Sequence, residues 1–329
     1  MIDNKKYSVT AIGNAMLDLV CEVPDQFLSQ ERISKGVMNL VSRERSNNIL
    51  KLVRPIKETA GGSAANTIST LAKLGLKTGY IGKIADDPKG KVFKKDLLDN
   101  SIFYNTDFLD KGYTEATGKC IVLITPDKER TMNTYLGATE FLTDIDIDEE
   151  LIAQSEWLYL EGYRFDGQKS KKAFYKAIEI AKKNKTKIAI TLSDSFCVDR
   201  HRSDFIYLLN VSADMVFCNE DELKSLYQID DIKKAKEFID DSISCVACTC
   251  AERGAYLFHG SSTSEISTNK VDVIDTTGAG DSFAAGFLYG LSKKFTFDKC
   301  ATIGNVIAGE VLKVYGPRVE KNLTKFVIS

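Results

Sequence analysis

The sequence predicts an α/β chain built on a largely parallel sheet with helices on both faces. Three observations carry that expectation. Short apolar, β-prone runs recur along the 329 residues. Amphipathic helical patterns separate several of them, and such alternation marks strand–helix–strand units, whose parallel strands are joined and covered by helical crossovers. Finally, 43% hydrophobic and 27% charged residues with only 5 prolines describe a folded chain without long linkers.

The candidate strands, in order, are VTAIGN (9–14), TGYIGKIA (78–85), KCIVLIT (119–125), WLYLEGY (157–163), KIAITLS (187–193), ADMVFCN (213–219) and SCVACTC (244–250). A first helix, Asn66 to Leu74, brings Ile68, Leu71, Ala72 and Leu74 together and stops at Gly75; a second, Lys171 to Asn184, aligns Ala173, Phe174, Ala177, Ile178 and Ala181. A third is expected from Ser282 to Leu291. Residues 15–42 and 112–136 break this rhythm with shorter alternating segments, and are expected to form a small sheet projecting as a cover. The polar run SSTSEIST, 261–268, is expected to be a surface loop. Since no linker divides the chain, residues 1–329 are read as one domain.

Charge excludes some partners. Lys and Arg number 44 against 46 Asp and Glu, a net charge of -2 with no single-signed block, so neither nucleic acid nor an anionic membrane is expected to bind. The N-terminal stretch lacks a signal-peptide layout and no apolar run approaches the roughly 18–20 residues of a membrane span, so a cytoplasmic protein is expected. The 8 cysteines lie in apolar segments and are expected to be reduced and buried. Cys245-x-x-Cys248 has no second cysteine pair or nearby histidine to complete a zinc set.

The chemistry gathers at Asp275-Thr276-Thr277-Gly278-Ala279-Gly280-Asp281. Its glycines let backbone amides approach a ligand, and a helix starting there would present unpaired N–H groups and the positive end of its dipole: an anion site. A carboxylate beside a bound anion repels it, so Asp281 makes sense as a general base taking a hydroxyl proton while the neighbouring amides stabilise a phosphoryl group in transfer. The stretch alone also fits an aspartate capping a helix after a glycine turn. Other nucleotide motifs are missing: Gly82-Lys83, Gly90-Lys91 and Gly118-Lys119 are followed by Ile84, Val92 and Cys120, not Ser or Thr, and no G-x-G-x-x-G follows a strand.

DTTGAGD, together with GNAMLD (13–18), GGSAANT (61–67), GYIGKIADDPKG (79–90), TPDKERTMNTYLGA (125–138) and CNEDE (218–222), resembles in order and spacing the ribokinase-like, or PfkB, family of carbohydrate and nucleoside kinases. The resemblance implies a ribokinase-like fold, a central mostly parallel sheet flanked by helices with a small β-sheet lid, and ATP-dependent phosphorylation of a hydroxymethyl group. Within it Asp281 is the base, and Gly278, Ala279 and Gly280 form the anion hole. Asn14, Asp18, Gly62, Ser63 and Asn66 correspond to residues holding ribose hydroxyls; a polar turn at 14–18 and helix capping by Asn66 are the plainer readings. Asn219 and Glu222 fit an N-x-x-E element that organises Mg²⁺ and phosphate through water, although NEDE alone also reads as a solvated helix start.

Thr249 and Gly254 match a nucleotide loop in which Ala251 replaces the usual first glycine. Asn305 corresponds to an adenine contact, or is a buried Asn bonded to backbone. Some members hold a monovalent cation such as K⁺, and Asp275 and the Val314-Tyr315-Gly316 turn occupy the comparable places.

GNAMLD and RTMNTYLGA, with Leu136 and Ala138, look closer to adenosine-kinase-like members than to hexose kinases. Leu40, Leu136, Tyr163 and Phe196 are candidates for an apolar base slot or for plain core, and Arg200 or Arg202 for a sugar or phosphate contact. The expected activity is phosphotransfer from Mg-ATP to the 5′-hydroxyl of adenosine or a related nucleoside, by a monomer or homodimer. The alternatives are a sugar kinase of ribokinase or fructokinase type and a non-catalytic nucleoside or sugar sensor.

Overall fold

The computed structural model describes residues 5–327. Residues 1–4, where the N-terminal stretch begins, lie outside them. Along the chain run β1 (Tyr7–Ile12), β2 (Met16–Glu22), α1 (Asp25–Gln30), β3 (Met38–Leu40), α2 (Arg43–Leu52), β4 (Lys57–Gly61), α3 (Ser63–Lys73), β5 (Thr78–Ile81) and α4 (Pro88–Asp99). There follow β6 (Phe103–Tyr104), β7 (Gly118–Ile124), β8 (Arg130–Tyr135), α5 (Glu149–Ala153), β9 (Ser155–Glu161), α6 (Gln168–Lys183), β10 (Lys187–Thr191), α7 (Ser195–Arg200) and α8 (Arg202–Ser212). The chain closes with β11 (Met215–Asn219), α9 (Glu220–Tyr227), β12 (Cys245–Thr249), β13 (Ala255–His259), β14 (Ser262–Ile266), α10 (Ala279–Ser292) and α11 (Phe297–Val311).

Nine strands form the large sheet in the order β14-β13-β12-β11-β10-β9-β1-β5-β6, parallel from β12 to β6, with β13 and β14 antiparallel at one edge. Side-chain alternation divides the core. Val9, Ala11, Tyr159 and Phe217 pack against Ile68, Phe283, Phe287 and Ile307 of α3, α10 and α11, whereas Ile12, Leu158, Leu160 and Ile190 face Phe174, Ala177 and Phe205 of α6 and α8. Each fully buried Val, Leu, Ile or Phe among them contributes about 1.5–3 kcal/mol of transfer free energy. This is the ribokinase-like α/β architecture.

The second sheet has five strands in the order β3-β8-β7-β2-β4. Residues 15–42 and 112–136 supply four of them; β4 comes from outside both segments, drawn in by antiparallel pairing of Lys57–Gly61 with β2. KCIVLIT joins this sheet as β7 and not the large one.

Two sequence expectations need correction. SSTSEIST is not a loop but largely the edge strand β14, paired to β13, because an edge strand with little burial tolerates Ser, Thr and Glu. Helix α10 begins at Ala279, three residues before the expected Ser282, so Asp281 lies inside its first turn. No helix of the described residues is long and apolar enough to cross a membrane. All eight cysteines are free and buried.

Candidate active site

The C-terminal ends of β1, β9, β10, β11 and β12 open onto one cleft of about 950 Å³, roofed by the small sheet and lined by Asn14, Glu161, Thr191, Asn219, Thr249 and Asp281 among others. Ligand clefts of α/β sheets form at this end of the strands because loops there diverge.

Asp275 is fully buried: its Oδ1 accepts from Thr277 N (2.8 Å) and Thr277 Oγ1 (2.6 Å), and its Oδ2 from Gly316 N (2.7 Å). Gly278, the helix cap, has φ +78°, and a Cβ there would come within 2.6 Å of Pro317 Cβ. Gly280 differs: its φ is ordinary and a Cβ would meet nothing within 4 Å. The protein's own packing leaves open the space beside it. Among the described residues the amides of Gly280 and Asp281 have no acceptor, while Ala279 N makes a long 3.3 Å bond to Thr276 O. Free amides at a helix start facing a cleft suit an anion.

Asp281 is held from α3. Ser63 Oγ donates to its Oδ1 at 2.6 Å, Asn66 Nδ2 to its Oδ2 at 3.0 Å, and Thr67 Oγ1 to its backbone carbonyl at 3.2 Å. Burial raises its carboxyl above the ordinary range, while the Ser63 and Asn66 bonds and the charges of Arg130 and Arg318 oppose that rise. A carboxylate fixed by donors and raised toward neutrality beside free amides is equipped to accept a proton. Asn66 is not a helix cap, since α3 starts at Ser63 with Gly62 as its cap.

The glycine pair of GGSAANT has two separate reasons. A Cβ at Gly61 would meet the Asp18 carboxyl at 2.1 Å, and one at Gly62, whose φ is +94°, would lie 1.9 Å from Asn14 O. The glycines thus let Asn14 and Asp18 pack against the start of α3. Asp18 is buried and its carboxyl is pushed up to about 7, first by desolvation, then by Asp281 and Asp275, with Arg318 opposing. Asn14 Oδ1 accepts from Arg164 Nη1 at 2.9 Å and from Thr139 Oγ1 at 3.3 Å. Leu136 and Tyr163 line the cleft.

Other expected contacts fall elsewhere. Ala138 is fully buried with Ala85 and Leu109, because Gly137, at φ +56°, turns the chain back into the core after Leu136. Leu40 and Phe196 are about half exposed and are not among the cleft-lining residues. Arg200 forms a two-bond pair with Asp166, and Arg202 bonds Ser225 O and Asp199.

At the far end, Asn219 and Glu222 close a capping box at the start of α9: Glu222 N donates to Asn219 Oδ1 (2.8 Å), and Asn219 N and Nδ2 donate back to the carboxylate (3.1 and 2.6 Å). Asn219 and Asp221 are exposed at this helix start, whereas Glu222 is buried and its carboxyl is raised to about 8, chiefly by desolvation. A buried carboxylate facing the cleft, with Arg130 as its nearby positive charge, fits a hydrated Mg²⁺ held through water. Thr249 Oγ1 donates to Cys218 O at 3.3 Å. Ala251 has φ +49° and Gly254 φ +93°, so the loop keeps the left-handed turn even where alanine replaces glycine. Asn305 donates to Ile266 O (3.1 Å) and Ser267 O (3.2 Å), the backbone-bonded arrangement, while still lining the cleft.

Three residues of the site escaped the sequence reading. Glu161, at the end of β9, accepts from Asn14 N (3.2 Å) and Ala64 N (2.8 Å) and so clips both glycine segments together. Arg318 donates to Asn66 Oδ1 at 3.0 Å. Arg130, on β8, lines the cleft and makes no ion pair among the described residues, yet its charge acts on Asp281, Asp18 and Glu222. The period-2 row Arg130, Met132, Thr134, Leu136, all facing the cleft, was the available signal.

Comparison with known proteins agrees with this geometry. The family model described as pfkB family carbohydrate kinase matches residues 33–323. A 5-dehydro-2-deoxygluconokinase of Geobacillus kaustophilus is 26% identical over 285 residues, 80% of this chain and 84% of the relative. A probable sugar kinase from Rhizobium etli is similar at 36% identity and a TM-score of 0.94, covering 98% of both chains. An adenosine kinase from Sinorhizobium meliloti is similar at 37% identity and a TM-score of 0.94, again over 98% of each. The chain belongs to the pfkB family of carbohydrate kinases, and is an ATP-dependent phosphotransferase acting on an alcohol group of a sugar or nucleoside.

Proposed function

We propose that the chain transfers the γ-phosphoryl group of ATP to the 5′-hydroxyl of adenosine or a related nucleoside. The observation that supports this acceptor is the contrast between two walls of the cleft. Asn14, Asp18 and Gly62 offer hydrogen-bonding groups suited to a vicinal diol. Met16, Met38, Val122, Met132 and Leu136 offer an adaptable apolar ceiling for a flat base.

In this reading Asp281 takes the hydroxyl proton, the Gly280 and Asp281 amides receive the phosphoryl oxygens, and Arg130 reaches down from the small sheet toward the same charge. Mg²⁺ bound through water at Asn219 and Glu222 supplies charge neutralisation for the phosphates. Closure of the small sheet excludes water and limits wasteful hydrolysis. K⁺ beside Asp275 belongs to the same proposal. Helices α1 and α2 cover the outer face of the small sheet through Leu28 and Ile49, which supports a monomer.

The second reading is a sugar kinase, favoured by the name of the curated relatives, 5-dehydro-2-deoxygluconokinase. A panel of adenosine, other nucleosides, ribose, fructose and keto-deoxy sugar acids, incubated with ATP and Mg²⁺ and assayed for product, separates the two. Nucleoside 5′-monophosphate is the expected product. Phosphorylation of free sugars alone rejects the nucleoside reading, and binding without any product favours a sensor.

A further inference from the structure

The segment Gly316-Pro317-Arg318 touches the proposed catalytic turn at two points and helix α3 at a third. Gly316 N donates to Asp275 Oδ2, Pro317 lies against Gly278, and Arg318 Nε donates to Asn66 Oδ1 at 3.0 Å. Asn66 in turn donates from Nδ2 to Asp281 at 3.0 Å. An asparagine amide has nearly interchangeable ends, and which end faces a carboxylate depends on its other partner. Arginine only donates, so Arg318 can be satisfied only by Oδ1, which leaves Nδ2 for Asp281.

We propose that Arg318 is a positioning residue for the base: it fixes the Asn66 amide so that its N–H₂ faces the Asp281 carboxylate. This rests on the reading of Asp281 as the base.

The guanidinium is well anchored for that task. Arg318 is 5% exposed, and its Nη1 pairs with Asp96 of α4. Its Nη2 is buried with no hydrogen-bond partner among the described residues, an arrangement that native proteins rarely keep. Arg318 is also a positive group facing both Asp18 and Asp281, with Arg130 the other. The segment that shapes the anion turn therefore also orients the base from behind, through a side chain outside the cleft lining.

The test uses the full chain, with saturating ATP and the best acceptor from the panel, and compares Arg318→Met, Arg318→Lys, Asn66→Ala, both combinations with Asn66→Ala, and Asp281→Asn as reference. Arg318→Met is expected to lower kcat about 10- to 100-fold, the range for losing a charge-assisted hydrogen bond, with the KM for ATP within about twofold. Arg318→Lys restores part of that loss. In the Asn66→Ala background Arg318→Lys, which keeps the charge that acts on Asp281, costs less than about threefold, because the amide it acts through is gone. If Arg318→Met does not fold, Arg318→Lys with and without Asn66→Ala carries the same comparison. A folded Arg318→Met with kcat within about threefold of wild type, or losses that multiply independently, overturns the proposal. An inactive Asp281→Asn beside a normal Arg318→Met sinks this inference alone, whereas an active Asp281→Asn removes the base on which it rests.

Discussion

Ser63 Oγ and Asp281 Oδ1 lie 2.6 Å apart, joining the first residue of α3 to the first turn of α10. Two helix starts, from segments 218 residues apart in sequence, thereby share one carboxylate. Since this bond favours the ionised form, Ser63→Ala is expected to raise the Asp281 carboxyl further. The acid limb of kcat/KM then moves to higher pH and turnover falls about tenfold, the loss of one hydrogen bond to a charged group. A pH–rate profile of the variant checks both; an unmoved limb separates Ser63 from the base.

Gly280 has no structural need to be glycine, so its absent side chain points to a ligand. Gly280→Ala is expected to leave stability unchanged or raise it by up to about 1 kcal/mol, as alanine favours the helix. At the same time the methyl group enters the space beside the free amides, and kcat/KM for ATP drops about tenfold or more. Thermal unfolding and steady-state kinetics on one preparation test the pair of effects.

The buried Asp18 carboxyl carries a cost in the unliganded fold. Its carboxyl sits at about 7 in the folded chain against an ordinary 3.8, so the folded state holds that proton more tightly, and the group's contribution to stability falls as pH rises from 4 through 7. Asp18→Asn is therefore expected to stabilise the unliganded protein at pH 8 by roughly 1–3 kcal/mol, and by less at pH 5. Acceptor KM should rise in the same variant. Denaturant unfolding at the two pH values is the check, and a destabilised variant at pH 8 contradicts the assignment.

Ala251 holds φ +49°, a conformation disfavoured for residues with a Cβ. Ala251→Gly is expected to stabilise the chain by about 0.5–1 kcal/mol and to leave the KM for ATP within about twofold, since the loop already has its glycine-like shape. A loss of stability would mean that the turn is not strained.

Much of this fold was readable because strand and helix periods are local. VTAIGN, WLYLEGY, KIAITLS, ADMVFCN and SCVACTC all lie in the parallel part of the large sheet. β4 was hidden because KETAG lacks an apolar strand pattern and is a strand only through its partner β2. The motifs placed Asn14, Asp18, Ser63, Asn66, Asn219 and Asp281 around one cleft. What they could not convey was who bonds to whom: Ser63 and Asn66 hold Asp281, and Glu161 and Arg318 act through contacts separated by 97 and 252 residues. Such pairings are set by tertiary packing and leave no periodic trace. Ala138 shows the converse, a motif residue that follows a positive-φ glycine and is buried away from the cleft.

The most direct measurement is turnover and ATP affinity of Asp281→Asn, which keeps the shape of the side chain and removes its ability to take a proton. The account predicts kcat lower by about 10² or more with ATP binding within about threefold of wild type. Turnover close to wild type, with the variant folded and ATP bound, would contradict it.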